Sequence, residues 1–166
     1  MSGGVTGVDH VGVGVSDMER ALRFWRDALG LEQAGRGTVE WEHLDRLTGA
    51  DGTVIEWAEL RIPGGSTVEL QQYHRPAGSP LVPGGDGDAG RGHLSLLVHD
   101  IETVLEQLHA AGAPSRSAAP VEILRGAYAG AKAVYVHDPD GFAVELIERP
   151  PTARPFTTPL LEPSLQ

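Results

Sequence analysis

The sequence predicts an α+β fold of two tandem βαβββ modules, on two observations. The chain contains itself twice, and each copy passes from strand-like alternation to helical periodicity and back. "HVGVGVSDMERAL" (10–22) aligns without gaps with "HLSLLVHDIETVL" (93–105), matching His10/His93, Val15/Val98, Asp17/Asp100, Glu19/Glu102 and Leu22/Leu105. "PGGSTVEL" (63–70) aligns with "PDGFAVEL" (139–146), matching Pro63/Pro139, Gly65/Gly141, Val68/Val144, Glu69/Glu145 and Leu70/Leu146. Each half thus opens with a histidine and closes with a glutamate, both on strands.

The elements follow in order. Residues 8–15 alternate and are rich in valine, the pattern of a half-buried strand. Ser16 reads as the N-cap of the next helix, with Glu19 completing a capping box. Met18, Ala21, Leu22, Trp25, Ala28 and Leu29 keep helical spacing, and Gly30 stops the helix. Three strands follow near 36–42, 53–61 and 66–73, with a loop or short helix at 43–52. In the second half, Ile101, Val104, Leu105 and Leu108 form the helical stripe, and Gly112 and Pro114 end it. Strands follow near 120–124, 132–137 and 142–148. One domain is expected over 1–149, with modules at 5–74 and 92–149 joined by a Gly/Pro-rich linker at 75–91. The proline-rich tail, 150–166, cannot form a regular helix.

Composition narrows the function classes. The 166 residues carry a net charge of −10 and no basic run, which argues against nucleic acid and anionic membrane surfaces as partners. No apolar run is long enough for a transmembrane helix. The N-terminus, "MSGGVTGVDH", lacks the pattern of a signal peptide, so a cytoplasmic location is the default expectation. The absence of cysteine removes disulfides, thiolate metal sites and cysteine nucleophiles together. There is no G-x-S-x-G, P-loop or dinucleotide fingerprint, so no nucleotide or flavin is expected.

A carboxylate buried unpaired on a strand face is expensive. Taken singly, His10, Glu69, His93 and Glu145 read as strand residues facing solvent. Taken as matched pairs, two imidazoles and two carboxylates form a nitrogen/oxygen set suited to one divalent ion: Ni, Co, Zn, Mn or Fe(II). Gln71 and Tyr73 share the face of Glu69 and are candidate substrate contacts. Trp57 and Tyr135 read first as core packing and second as an aromatic wall. His137 reads as serving the turn that follows it, and "GGDGDAG" (84–90) as linker, since it lacks calcium-loop spacing.

"DHVGVGVSDMERALRFWRDALGLE", "GHLSLLVHDIETVLEQLHAAGA" and "VYVHDPDGFAVELIE" resemble the vicinal oxygen chelate superfamily over residues 5–149. That group includes glyoxalase I, methylmalonyl-CoA epimerase, extradiol dioxygenases, and fosfomycin- and bleomycin-resistance proteins. The resemblance implies a cupped, incomplete β-barrel around a metal held by His10, Glu69, His93 and Glu145. It also implies a homodimer acting on a small molecule. The leading expectation is a lyase or isomerase that chelates adjacent substrate oxygens and stabilises an enediolate, with Glu69 or Glu145 moving the proton. The runner-up is an Fe(II) or Mn(II) ring-cleaving dioxygenase using His10, His93 and Glu145. An antibiotic-resistance or small-molecule-binding protein is third. Gly14 and Tyr73 stand where bacterial glyoxalase I has a glutathione-contacting arginine and asparagine, which argues against glutathione. Methylmalonyl-CoA epimerases usually carry glutamine where Glu69 stands.

Overall fold

The computed structural model describes residues 3–79, 85 and 87–151. The centre of the predicted linker and nearly all of the proline-rich tail lie outside the described residues. The first module comprises β1 (His10–Gly14), α1 (Met18–Leu22), β2 (Glu32–Val39), α2 (Glu42–Thr48), β3 (Val54–Arg61) and β4 (Thr67–Arg75). A π-helical segment, Arg23–Ala28, prolongs α1. The second comprises β5 (His93–Val98), α3 (Ile101–Ala110), β6 (Val121–Glu122), β7 (Lys132–His137) and β8 (Ala143–Glu148).

Each module forms an open four-stranded sheet, ordered β1-β4-β3-β2 and β5-β8-β7-β6. The first and last strands of each module pair in parallel, and the others are antiparallel. A parallel pair needs a crossover, and the helix after each first strand begins it. The repeated turn before the last strand depends on glycine: Gly65 and Gly141 hold φ of 114° and 90°, a backbone conformation that other residues adopt only under strain.

Alternation divides each sheet into two faces. Val13, Val68, Leu70, Ala58 and Leu60 are buried in the first, and Leu96, Val134, Val136, Val144 and Leu146 in the second. Against them lie Met18, Ala21, Leu22, Trp25, Ile101, Leu105 and Leu108 from the helical segments. All of these side chains join one core cluster spanning both modules. Trp25 is fully buried in it, edge-on to Phe24 and tilted against Phe142.

The turn before β8 clamps the modules together. The Asp140 carboxylate accepts from the Ser16 N–H at 3.0 Å, the Ser16 hydroxyl at 2.5 Å and Arg20 Nη2 at 2.7 Å. Asp138 is almost fully buried and accepts the Trp25 indole N–H at 3.3 Å and the backbone N–H groups of Asp140 and Phe142. Burial pushes the Asp138 carboxyl above the ordinary aspartate value, and these donors only partly offset it.

Several expected boundaries shift. The N-cap of α1 is Asp17, which accepts from the Arg20 N–H at 2.8 Å. Ser16 is spent on Asp140 instead, and Glu19 pairs with Arg36. Asp100 caps α3 in the same way through Thr103. β2 starts at Glu32, earlier than expected, because the chain turns at Gly30 (φ 73°) directly into the sheet. The segment expected as loop or short helix is the helix α2, closed by Gly49 at φ 72°. β6 shrinks to two residues.

Candidate metal centre and cup

The sheet faces turned away from the helices carry the candidate residues. On β4 these are Thr67, Glu69, Gln71 and Tyr73, alternating with buried Val68 and Leu70. β1 places His10 level with Thr67 and Gly12 level with Glu69. β5 places His93 level with Ala143 and Ser95 level with Glu145. Each histidine therefore lies two residues short of its glutamate on the neighbouring parallel strand. The same offset appears in both modules.

The two pairs differ in their surroundings. His93 Nε2 lies 3.4 Å from Glu145 Oε2, and the Tyr135 ring packs edge-on against the imidazole, centroids 5.2 Å apart. Tyr135 is also the cross-strand neighbour of Glu145. In the first module, His10 Nδ1 lies 2.9 Å from Asp9 Oδ2. That bond is the largest cause holding His10 above the ordinary imidazole value; partial desolvation opposes it, and the charges of Glu69, Asp9 and Glu59 add to it. An Nδ1–H donated to Asp9 leaves Nε2 as the ligating atom, the usual way a carboxylate orients a metal-binding imidazole. Gln71 Nε2 donates to Glu69 Oε1 and fixes that carboxylate.

Glu59 stands directly opposite Glu69 on β3. Like charges at such a cross-strand position destabilise a sheet unless a cation lies between them. This observation and the matched nitrogen/oxygen pairs fit a divalent ion. No three of these four side chains bring candidate ligand atoms within 4.8 Å of one another. Among the described residues, the group of three possible ligands whose atoms all lie within 4.8 Å of one another is Asp100, Glu102 and Glu148. Those oxygens already cap α3 and hold Lys132.

Gln71 and Tyr73 line a cleft of about 600 Å³, with Gly12, Gly14, Ser16, Asp140 and Phe142 also on its wall. Trp57 and Tyr135 fall outside the core cluster, contrary to the first reading of them as core packing. They stand on the cup faces because their partners are Gln71 and Glu145.

The family model described as "Glyoxalase/Bleomycin resistance protein/Dioxygenase superfamily" matches residues 7–146, both modules together. The chain belongs to this superfamily. Among curated relatives, a 2-epi-5-epi-valiolone epimerase from Actinomyces sp. is 30% identical, covering 92% of this chain and 84% of that protein. A probable chloroplastic lactoylglutathione lyase of Arabidopsis thaliana is 29% identical over 92% of this chain, which spans only 38% of that protein. Among solved structures, a glyoxalase family protein from Bacillus cereus superposes with a TM-score of 0.76 at 22% identity, covering 89% of this chain and 96% of that one. A glyoxalase/bleomycin resistance protein/dioxygenase domain from Frankia sp. gives 0.64 at 21% identity, covering 90% and 96%. The superfamily fold is thus established for the paired modules.

Sequence reasoning missed Asp9, Glu59 and the clamp at Asp138 and Asp140. Glu59 was reachable by counting back through the turn at 62–66, which sets it opposite Glu69. The clamp joins positions 124 residues apart in sequence, and no local pattern announces such a contact.

Proposed function

We propose that this protein is a metal-dependent isomerase or lyase acting on a small molecule with two adjacent oxygens. The observation that carries the reading is the repeated His/Glu pair, at one register offset, in both sheets. His10, Glu69, His93 and Glu145 would hold the ion. When bound, the metal supplies Lewis-acid stabilisation of negative charge on the two oxygens, which acidifies the C–H beside them. The protein's own part is to move that proton. Glu145 is suited to it: its side chain is only 18% exposed and lies beside His93. Glu69 is the second candidate, oriented by Gln71.

The name of the epimerase relative supports isomerisation, and Gly14 and Tyr73 argue against glutathione as a substrate. Because no three of the four side chains meet in this way within one chain, a homodimer supports the site best. His10 and Glu69 would then face the partner subunit's His93 and the partner subunit's Glu145. Protein purified without chelators is expected to carry a divalent metal by elemental analysis, and Glu69→Gln to lose both metal and turnover. Metal-free protein that takes up none of Ni, Co, Zn, Mn or Fe(II) would contradict the reading.

One observation favours a second reading. The Gln71 bond occupies Glu69 Oε1, and a Glu69 held off the metal leaves the two-histidine, one-carboxylate set of a dioxygenase. Fe(II)-dependent oxygen consumption, with metal content unchanged in Glu69→Gln, is the outcome that reading expects.

A further inference from the structure

Two glycines in β1 are not explained by the fold. Gly12 is level with Glu69 and Gly14 with Gln71, on the face that carries His10. Neither has a positive φ. A Cβ on Gly14 would meet nothing within 4 Å, and one on Gly12 only the Gln71 amide at 4.0 Å. Glycine weakens a strand. Where neither backbone nor packing asks for it, it marks the close approach of a ligand or another chain. The matching positions of the second module, level with Glu145 and Ile147, hold Ser95 and Leu97.

The cleft of about 600 Å³ runs along β1 from Gly12 to Ser16, with Tyr73, Asp140 and Phe142 on its other walls. Among the described residues β1 pairs with β4 alone, so its other edge is open. The Val15 N–H donates to the Gln71 carbonyl on β4, so the backbone groups of Gly12, Gly14 and Ser16 point the other way. Ser16 shows where that edge faces, because its N–H meets Asp140 on the cleft wall. Gly12 and Gly14 thus offer the cleft two N–H and two C=O groups, about 6.6 Å apart along the strand.

Among the described residues, no Lys or Arg lines this cleft. Its Asp140 carboxylate is taken by Ser16 and Arg20, and its His74 ring by Glu56. A charged group entering it would lose water without gaining a counter-ion. An amide suits it, since it brings one donor and one acceptor to a strand edge.

We propose that the cleft takes an uncharged, extended amide arm of the substrate, hydrogen-bonded along β1 at Gly12 and Gly14. This inference rests on the metal-site reading only for where the arm begins, at Gly12 beside Glu69. Gly12 and Gly14 are specificity-determining residues in this scheme, because a side chain at either position occupies the room the arm needs.

The test uses hydroxamates, whose two adjacent oxygens chelate a metal, on the full-length protein. Acetohydroxamate has no arm, and N-acetylglycylglycine hydroxamate carries two amides. Octanohydroxamate and suberate monohydroxamate carry arms of the same length, one apolar and one negatively charged. Affinities come from calorimetry, and metal content is read in parallel by elemental analysis. The diamide arm is expected to bind about tenfold tighter than each of the other three. Gly14→Val, which suits a strand and fills the cleft, is expected to cancel that gain with metal content unchanged and no loss of stability in urea. A diamide no tighter than acetohydroxamate, a gain that survives in Gly14→Val, or a preference for the octano or suberate arm would each overturn the proposal. Protein that holds no metal and binds no acetohydroxamate would instead overturn the metal-site reading. The arm is then judged by NMR on the metal-free protein, where N-acetylglycylglycine amide is expected to shift the Gly12 and Gly14 N–H signals. Unmoved signals there would overturn the arm as well.

Discussion

The two modules share a scaffold and differ in what surrounds it. Both set a histidine two residues short of a glutamate on a parallel neighbour. In the first module that pair is ringed by carboxylates and an amide: Asp9 on His10, Glu59 opposite Glu69, Gln71 bonded to Glu69. In the second it is bordered by the Tyr135 ring, and Gly92 stands where the first has Asp9. The turns differ as well. The first has Ile62 and Gly64 where the second has Asp138 and Asp140, whose carboxylates reach across to the other module. Duplication preserved the atoms that a shared ion would need. The flanking residues differ: carboxylates and an amide border the first pair and an aromatic ring the second, whose module also fastens the molecule together.

This comparison can be broken at several points, the largest effects first. Removing a proposed ligand, as in His93→Ala, is expected to lower metal affinity by more than the roughly 100-fold typical of an outer-shell change. Metal titration checks this, and an unchanged affinity would remove the second module from the site. Asp9→Asn is expected to cost about tenfold in metal affinity, an asymmetry with no counterpart at Gly92. Asp138→Ala is expected to destabilise the fold by about 1–3 kcal/mol in urea unfolding, because the buried Trp25 indole N–H and two backbone N–H groups lose their acceptor.

The smallest effect is a pH slope. Since burial raises Asp138 in the folded protein, the unfolded chain ionises first as pH climbs past the ordinary value of 3.8. Stability due to this group is fully present below that value and declines as pH rises through the folded value. Asp138→Asn is expected to flatten that part of the stability profile while leaving the slope elsewhere unchanged.

The fold was legible because its signals are local and doubled. The valine alternation before Asp17, the stripes through Trp25 and Leu108, and the Pro-x-Gly turns each specify an element without reference to the rest of the chain. The candidate pairs were legible for the same reason, through His10/His93 and Glu69/Glu145. What stayed hidden depends on distant partners. Ser16 has the chemistry of an N-cap, but Asp140 competes for its hydroxyl. Trp57 looked like core because aromatic strand residues usually are, and only the register with Gly37 and Gln71 turns it outward. Whether the two pairs serve one ion also depends on an arrangement that no strand pattern encodes.

That last point is tested most directly by titrating metal into metal-free protein and two double variants, His10→Ala/Glu69→Ala and His93→Ala/Glu145→Ala. If both modules build a single site, the parent protein binds one ion per chain and each double variant binds none. An equimolar mixture of the two variants, re-formed as a dimer, regains binding when the site lies between subunits. If either double variant keeps stoichiometric binding at the parent affinity, the pairs do not share an ion and the account of the centre is wrong.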